Sequence, residues 1–213
     1  MKTDDLIRGL TADHTSRLPA LWPLLVCALV VGTACAVVLF AWRVDVRPDM
    51  ADAATRDPRL MLKFIVTLAL AISAGGLLTR LIRPGAARGL WLPALLAGPA
   101  ALALGVAYEL VMIDPSAWRE RLIGRHSLIC LESIPLLAAP ILGALLLAMR
   151  RGAATRPTLA GAAAGLVAGG IGGAIYATHC PDDSPLFVLA WYGLAIAVVT
   201  LTGALIGARV LRW

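Results

Sequence analysis

Apolar residues run along this chain in six long blocks separated by short polar segments, with few charges inside any block. The blocks cover about residues 21–42, 61–81, 90–113, 128–149, 158–177 and 186–208. At about 1.5 Å of rise per residue, a helix of about 20 residues crosses the roughly 30 Å hydrocarbon core of a bilayer. A helix on a soluble domain would turn a polar face outward at regular intervals, and these blocks show none. The pattern predicts an all-α fold: a polytopic membrane helix bundle with six transmembrane helices over residues 20–213, preceded by a polar segment over residues 1–19.

Composition agrees, with 60% hydrophobic residues, 15% charged residues and a mean hydropathy of +0.83. The net charge of +6 would also suit a nucleic-acid binder, but its placement argues otherwise. An even number of spans puts both termini on one side. That side collects eleven Lys and Arg residues, Arg80, Arg83, Arg150, Arg151, Arg156, Arg209 and Arg212 among them, against three acids (Asp4, Asp5, Asp13). The other side carries eight basic and ten acidic residues. Basic loops stay in the cytoplasm, so both termini are expected there. The first apolar run is of full-span length and follows a polar, partly acidic stretch, so no cleavable signal peptide is expected.

The polar remainder is small. In the leading segment, Thr3 can cap a helix and Asp4 and Asp5 fall in its first turn, where the helix dipole favours anions. Leu6, Ile7 and Leu10 share one face, and Pro19 ends the segment. It is either a tail on the lipid surface or a short docking helix for a cytoplasmic partner. The first outer loop, residues 43–60 with Lys63 just beyond, reads as a solvated, charge-dense connection containing at most a short helix. Pro135 and Pro140 interrupt the hydrogen-bond ladder of the fourth span and could hinge it. Gly161, Gly165, Gly169 and Gly173 line one face of the fifth span, and Gly203 and Gly207 repeat the spacing in the sixth. Small faces let helices approach closely in lipid, as a seam within the bundle or as a homodimer contact through spans five and six.

Four cysteines fall in two settings. Cys27 and Cys35 lie two turns apart in the first span and read as packing residues. Cys130 opens the fourth span, and Cys180 lies in the short connection after the fifth, so topology places both at the outer membrane face. His126 precedes Cys130 by one turn, and His179 adjoins Cys180. Two sulfurs and two imidazoles suit a soft or borderline metal ion. A structural disulfide, a redox- or metal-responsive pair and two inert thiols are the alternatives. Glu109, Asp114 and Glu132 sit near the outer span ends and are expected to pair with Arg119, Arg121 or Arg125. No Cys-x-x-Cys pair, Walker loop or HExxH motif occurs, so no enzyme is expected. No span has a central charge of the kind ion-coupled transport uses.

Several segments together resemble one family: Met1-Lys-Thr-Asp-Asp-Leu-Ile-Arg8, Ile134-Pro-Leu-Leu137, Arg150-Arg-Gly-Ala153, Thr155-Arg-Pro157, and above all His179-Cys-Pro-Asp-Asp-Ser-Pro-Leu-Phe-Val188 followed by Trp191-Tyr192. Over essentially the whole chain it resembles the NrsF-type six-span anti-sigma factors, negative regulators of sigma-F. The resemblance implies a protein of the bacterial inner membrane. It would hold an extracytoplasmic-function sigma factor inactive and release it under heavy-metal or oxidative stress. Two periplasmic cysteines are needed for this, at the positions of Cys130 and Cys180. The residues themselves, and not the resemblance, suggest His126 and His179 as the cysteines' partners in a metal site and Asp4, Asp5, Leu6, Ile7 and Leu10 as docking residues. The expected partners are a sigma factor and the bilayer, with no direct nucleic-acid contact. No resident cofactor is required, only a transient heavy-metal ion such as cadmium or zinc. A small membrane transporter or metal-binding membrane protein is the alternative reading.

Overall fold

A computed structural model describes residues 21–83, 89–152 and 154–212, together with Thr3. Eight helices follow one another: α1 (Leu21–Arg43), the short α2 (Met50–Arg56), α3 (Pro58–Leu81), α4 (Trp91–Met112, interrupted at residues 95 and 96), the short α5 (Trp118–Ile123), α6 (Ser127–Met149), α7 (Pro157–Ala177) and α8 (Pro185–Val210). Six of them are long and apolar enough to cross a membrane. Among the described residues there is no strand. The chain is a six-helix membrane bundle, as the apolar blocks predict.

The helix starts explain one difference from the predicted limits. The second span begins three residues early because Asp57 accepts a hydrogen bond from the Arg59 amide (2.8 Å) and Pro58 occupies the first helical position. An N-cap acid followed by proline starts a helix with little cost, since proline's missing N–H would have had no partner there anyway. The early start sets Lys63 in the second turn of α3 rather than the first. Pro157 and Pro185 likewise open α7 and α8, there without a side-chain cap. α6 runs as one helix through Pro135 and Pro140.

α7 is the centre of the bundle and the most enclosed of the six spans. Its small residues meet neighbours on three sides. Gly161 and Gly165 face Gly203, Gly207 and Thr200 of α8, Gly170 faces the Thr67 carbonyl of α3, and Gly172 faces Ile134 and Ala138 of α6. A Cβ on Gly165 would fall 2.7 Å from Thr200 Cα, and one on Gly170 would fall 2.7 Å from the Thr67 carbonyl oxygen. These are backbone-to-backbone approaches that no other residue permits. In lipid such fit, rather than exclusion of water, holds helices together. Of the two readings of these glycines, the seam within the bundle is the one seen: their faces meet neighbours within a single chain. α1 packs against α6, and α4 packs against α3. Cys27 and Cys35 point away from the bundle on α1, so the sequence reading of them as packing residues inside the bundle is corrected.

Candidate functional site: two buried thiols beneath a latched strap

The connections between α1 and α3, α4 and α6, and α7 and α8 gather at one end of the bundle. All ten acidic residues among those described belong to this end. The other end carries Arg80, Arg83, Arg150, Arg151, Arg156, Arg209 and Arg212 and no acid among the described residues. Orienting the molecule by these two ends, the acidic end holds both cysteines singled out by the sequence.

Residues 178–184 form a strap that leaves α7 and returns into α8. α7 closes with the amides of His179 and Cys180 both donating to the Tyr176 carbonyl (3.0 and 3.1 Å). This turn directs the Cys180 side chain inward. Cys180 and Cys130 are both fully buried, both free thiols, and both in one apolar cluster with Ile134, Leu137, Tyr176, Phe187 and Tyr192. They lie close enough for a charge on one to act on the other. The Tyr176 and Tyr192 hydroxyls are buried beside the Cys180 thiol, within electrostatic reach of both sulfurs. Burial pushes the Cys180 thiol up from its ordinary range, and the Lys63 ammonium partly opposes this. The protonated thiol is thus the dominant form at neutral pH.

Asp182, Asp183 and Ser184 are each tied to a different helix. Asp182 Oδ2 accepts from the amides of Arg125 and His126 (3.1 and 2.9 Å), capping the start of α6, and lies 3.0 Å from His126 Nδ1. Asp183 Oδ1 is 2.6 Å from Lys63 Nζ on α3, and its Oδ2 is 2.6 Å from Arg47 Nη1 in the first connection. Ser184 Oγ donates to Glu109 Oε2 on α4 (2.7 Å), which also accepts from the Leu186 amide (3.2 Å). The other Glu109 oxygen takes Arg121 Nη1 at 2.9 Å. Three successive strap residues thus pin the strap to α6, α3 and α4, with Arg47 reaching in from the first connection.

Lys63 is the residue the sequence reading missed. Its side chain has no exposed surface, its Nζ donates to the Cys180 carbonyl (3.1 Å), and it lies 5.4 Å from the centre of the Tyr192 ring. Arg47 was likewise assigned to a solvated loop, yet its side chain is only 9% exposed. Its hydrogen bonds hold the Asp49 carboxyl down at about 2. The predicted second span over residues 61–81 already contains Lys63, but no local signal pairs it with Asp183, 120 residues further along the chain.

The acids near the span ends resolve individually. Glu109 pairs with Arg121 as expected, whereas Glu132 pairs with Arg43 (3.3 Å) and Asp114 caps the Ser116 amide (2.8 Å). The two histidines do not join the thiols. His126 Nδ1 faces Asp182, and His179 Nδ1 lies 2.7 Å from the Asp45 carbonyl oxygen. Among the described residues no three His, Cys, Asp or Glu side chains converge to hold a metal ion. The four-ligand set is thus reduced to its two sulfurs in this conformation. Asp4, Asp5, Leu6, Ile7 and Leu10 lie outside the described residues.

Residues 10–213 match the family described as negative regulator of sigma F. The chain belongs to the NrsF family. It is 35% identical to the anti-sigma-F factor NrsF of Caulobacter vibrioides (strain NA1000 / CB15N), over the full length of both chains. It is 34% identical, again over both full lengths, to the "Probable anti-sigma-F factor NrsF" of Azospira oryzae (strain ATCC BAA-33 / DSM 13638 / PS). No solved structure matches. Within this NrsF-family chain, the segment that carried the resemblance most specifically, residues 179–188, is the strap together with the opening of α8.

Proposed function

We propose that this protein is an anti-sigma factor of the bacterial inner membrane, with both termini in the cytoplasm. In this reading it holds an extracytoplasmic-function sigma factor inactive, and Cys130 and Cys180 sense heavy-metal or oxidative stress in the periplasm. Family membership supports the regulatory role. The end whose charges among the described residues are all arginine supports the orientation, because basic connections stay cytoplasmic. The observation that carries the sensing role is the burial of two thiols from separate helical hairpins in one pocket, at the end opposite the arginines.

Such a pocket can convert chemistry into movement. Joining the sulfurs, by a metal ion or by oxidation, ties the start of α6 to the α7–α8 strap. Moving a switch from 1:99 to 99:1 takes roughly 5.5 kcal/mol of differential binding. A disulfide contributes about 2–4 kcal/mol, whereas zinc held by thiolates in small peptides contributes about 10–16 kcal/mol. Metal that recruits ligands beyond the two sulfurs can therefore throw a strongly biased switch alone, and oxidation can throw one that is more finely poised. α7 touches α3, α6 and α8, so a displacement of its outer end is carried through the glycine contacts toward the arginine end. Residues 1–19 and the arginine-bearing connections are the proposed docking surface for the sigma factor.

The test is transcription. With Cys130→Ser or Cys180→Ser, the sigma-dependent transcript is expected to lose its rise under cadmium or chromate while the uninduced level stays low. An unchanged rise in either variant would contradict the sensing role.

A further inference from the structure

The sensing chemistry needs the sulfurs reached, yet both are sealed. A polar cleft of about 490 Å³ opens on the acidic end, and residues 181–184 of the strap form part of its wall, together with Arg47, Arg59 and Arg121. Solvent therefore stands on one side of the strap while Cys180 faces the other. The contacts across this boundary are charged. Asp183 is 7% exposed and joins Lys63, which has no exposed surface, and Arg47, which is 9% exposed, at 2.6 Å each. Lys63 also holds the Cys180 carbonyl itself, and Arg47 Nη1 approaches the same oxygen at 3.5 Å. The Arg47 amide donates to the Thr178 carbonyl at the start of the strap (3.1 Å).

We propose that Lys63, Asp183 and Arg47 form a latch that holds the strap shut over Cys130 and Cys180, so that opening the latch, and not the thiols' reactivity alone, sets when the site can be reached. The inference deepens the sensing role and rests on it for its biological meaning. Lys63 is a positioning residue here: it acts on the thiols through the Cys180 carbonyl and the Asp183 carboxylate. The latch is ionic and nearly dry, so it holds only while both partners keep their charge. Removing one leaves an unpaired buried charge that draws water into the strap.

Thiol accessibility measures this directly. The full chain, carrying Cys27→Ala and Cys35→Ala, is placed in inner-membrane vesicles with the acidic end accessible. Labelling of Cys130 and Cys180 by a charged, membrane-impermeant maleimide is then followed by mass spectrometry. Lys63→Met and Asp183→Asn are each expected to speed labelling at least about tenfold, since removing one partner of a buried ion pair is strongly destabilising. Lys63→Arg, which keeps the charge, is expected to return labelling most of the way to the parent rate. The double variant Lys63→Met/Asp183→Asn leaves no unpaired charge, so it is expected to fold even if the single variants do not, and it is expected to label fast because the strap loses its Lys63 ties at both the Cys180 carbonyl and the Asp183 side chain. Loss of the ammonium as a countercharge would by itself slow a thiolate reaction, so acceleration in Lys63→Met reports opening of the strap, whereas Asp183→Asn, which removes a nearby anion, is read only beside it. Unchanged or slower labelling in the folded double variant overturns the latch. The sensing role fails separately, if the cysteine-to-serine variants still respond to metal.

Discussion

Replacing Asp183 with alanine is expected to destabilise the folded protein by roughly 3–5 kcal/mol, the cost of breaking a buried ion pair by removing one partner. The magnitude follows from what remains. Lys63 keeps its charge on a side chain with no exposed surface, and its remaining contacts are the Cys180 carbonyl and the Tyr192 ring. A neutral carbonyl and an aromatic face hold an ammonium far less well than a carboxylate at 2.6 Å. Arg47 suffers less because Asp49 still binds it at 2.7 Å. Thermal unfolding in detergent micelles, followed by circular dichroism, gives the measurement. The Lys63→Met/Asp183→Asn double variant is expected to recover most of the loss, because it removes both charges together. Equal losses in the single and double variants would mean that the pair is not coupled as the geometry states.

A leucine at Gly165 is expected to be as damaging for a different reason. Its Cβ would meet Thr200 Cα at 2.7 Å and the Val199 carbonyl oxygen at 2.8 Å. Backbone cannot step aside as a flexible side chain can, so α7 and α8 would have to separate along the seam. Overpacking of this kind costs about 1–3 kcal/mol and sometimes more. Gly143→Ala is the control: nothing lies within 4 Å of a Cβ there, and alanine in a helix gains about 0.5–1 kcal/mol over glycine. Thermal unfolding of the two variants should shift in opposite directions. If Gly165→Leu matched Gly143→Ala, the seam would not be the close contact described.

How much of this was written in the sequence depends on the range over which each interaction acts. The six spans were legible because apolar content over about 20 residues is a property of a continuous stretch. The glycine spacing was legible too, but only the packing decides between a neighbour in the chain and a second copy. The cysteine pair could be placed at one end by counting spans, without any contact being known. Lys63 could not be read in this way. A lysine near a span end normally extends toward water, and the carboxylate that keeps this one buried is Asp183, far along the chain. The histidines show the opposite failure. Their residue type and position suited a metal, but Asp182 and the Asp45 carbonyl, both distant in sequence or set by the fold, engage their rings first. The strap was the most recognisable segment of the sequence. The structure gives the physical reason: almost every side chain in it caps, pairs or seals something.

The central claim is that two thiols from separate hairpins share one buried pocket, and bridging them tests it most directly. In the full chain with Cys27→Ala and Cys35→Ala, dibromobimane fluoresces when it links two neighbouring thiols. Fluorescence is expected in membranes, with the Cys130 and Cys180 peptides joined within one chain by mass spectrometry, and it should vanish with either Cys130→Ser or Cys180→Ser. Single-thiol adducts without a bridge, or bridges found only between two chains, would contradict the shared pocket and the account built on it.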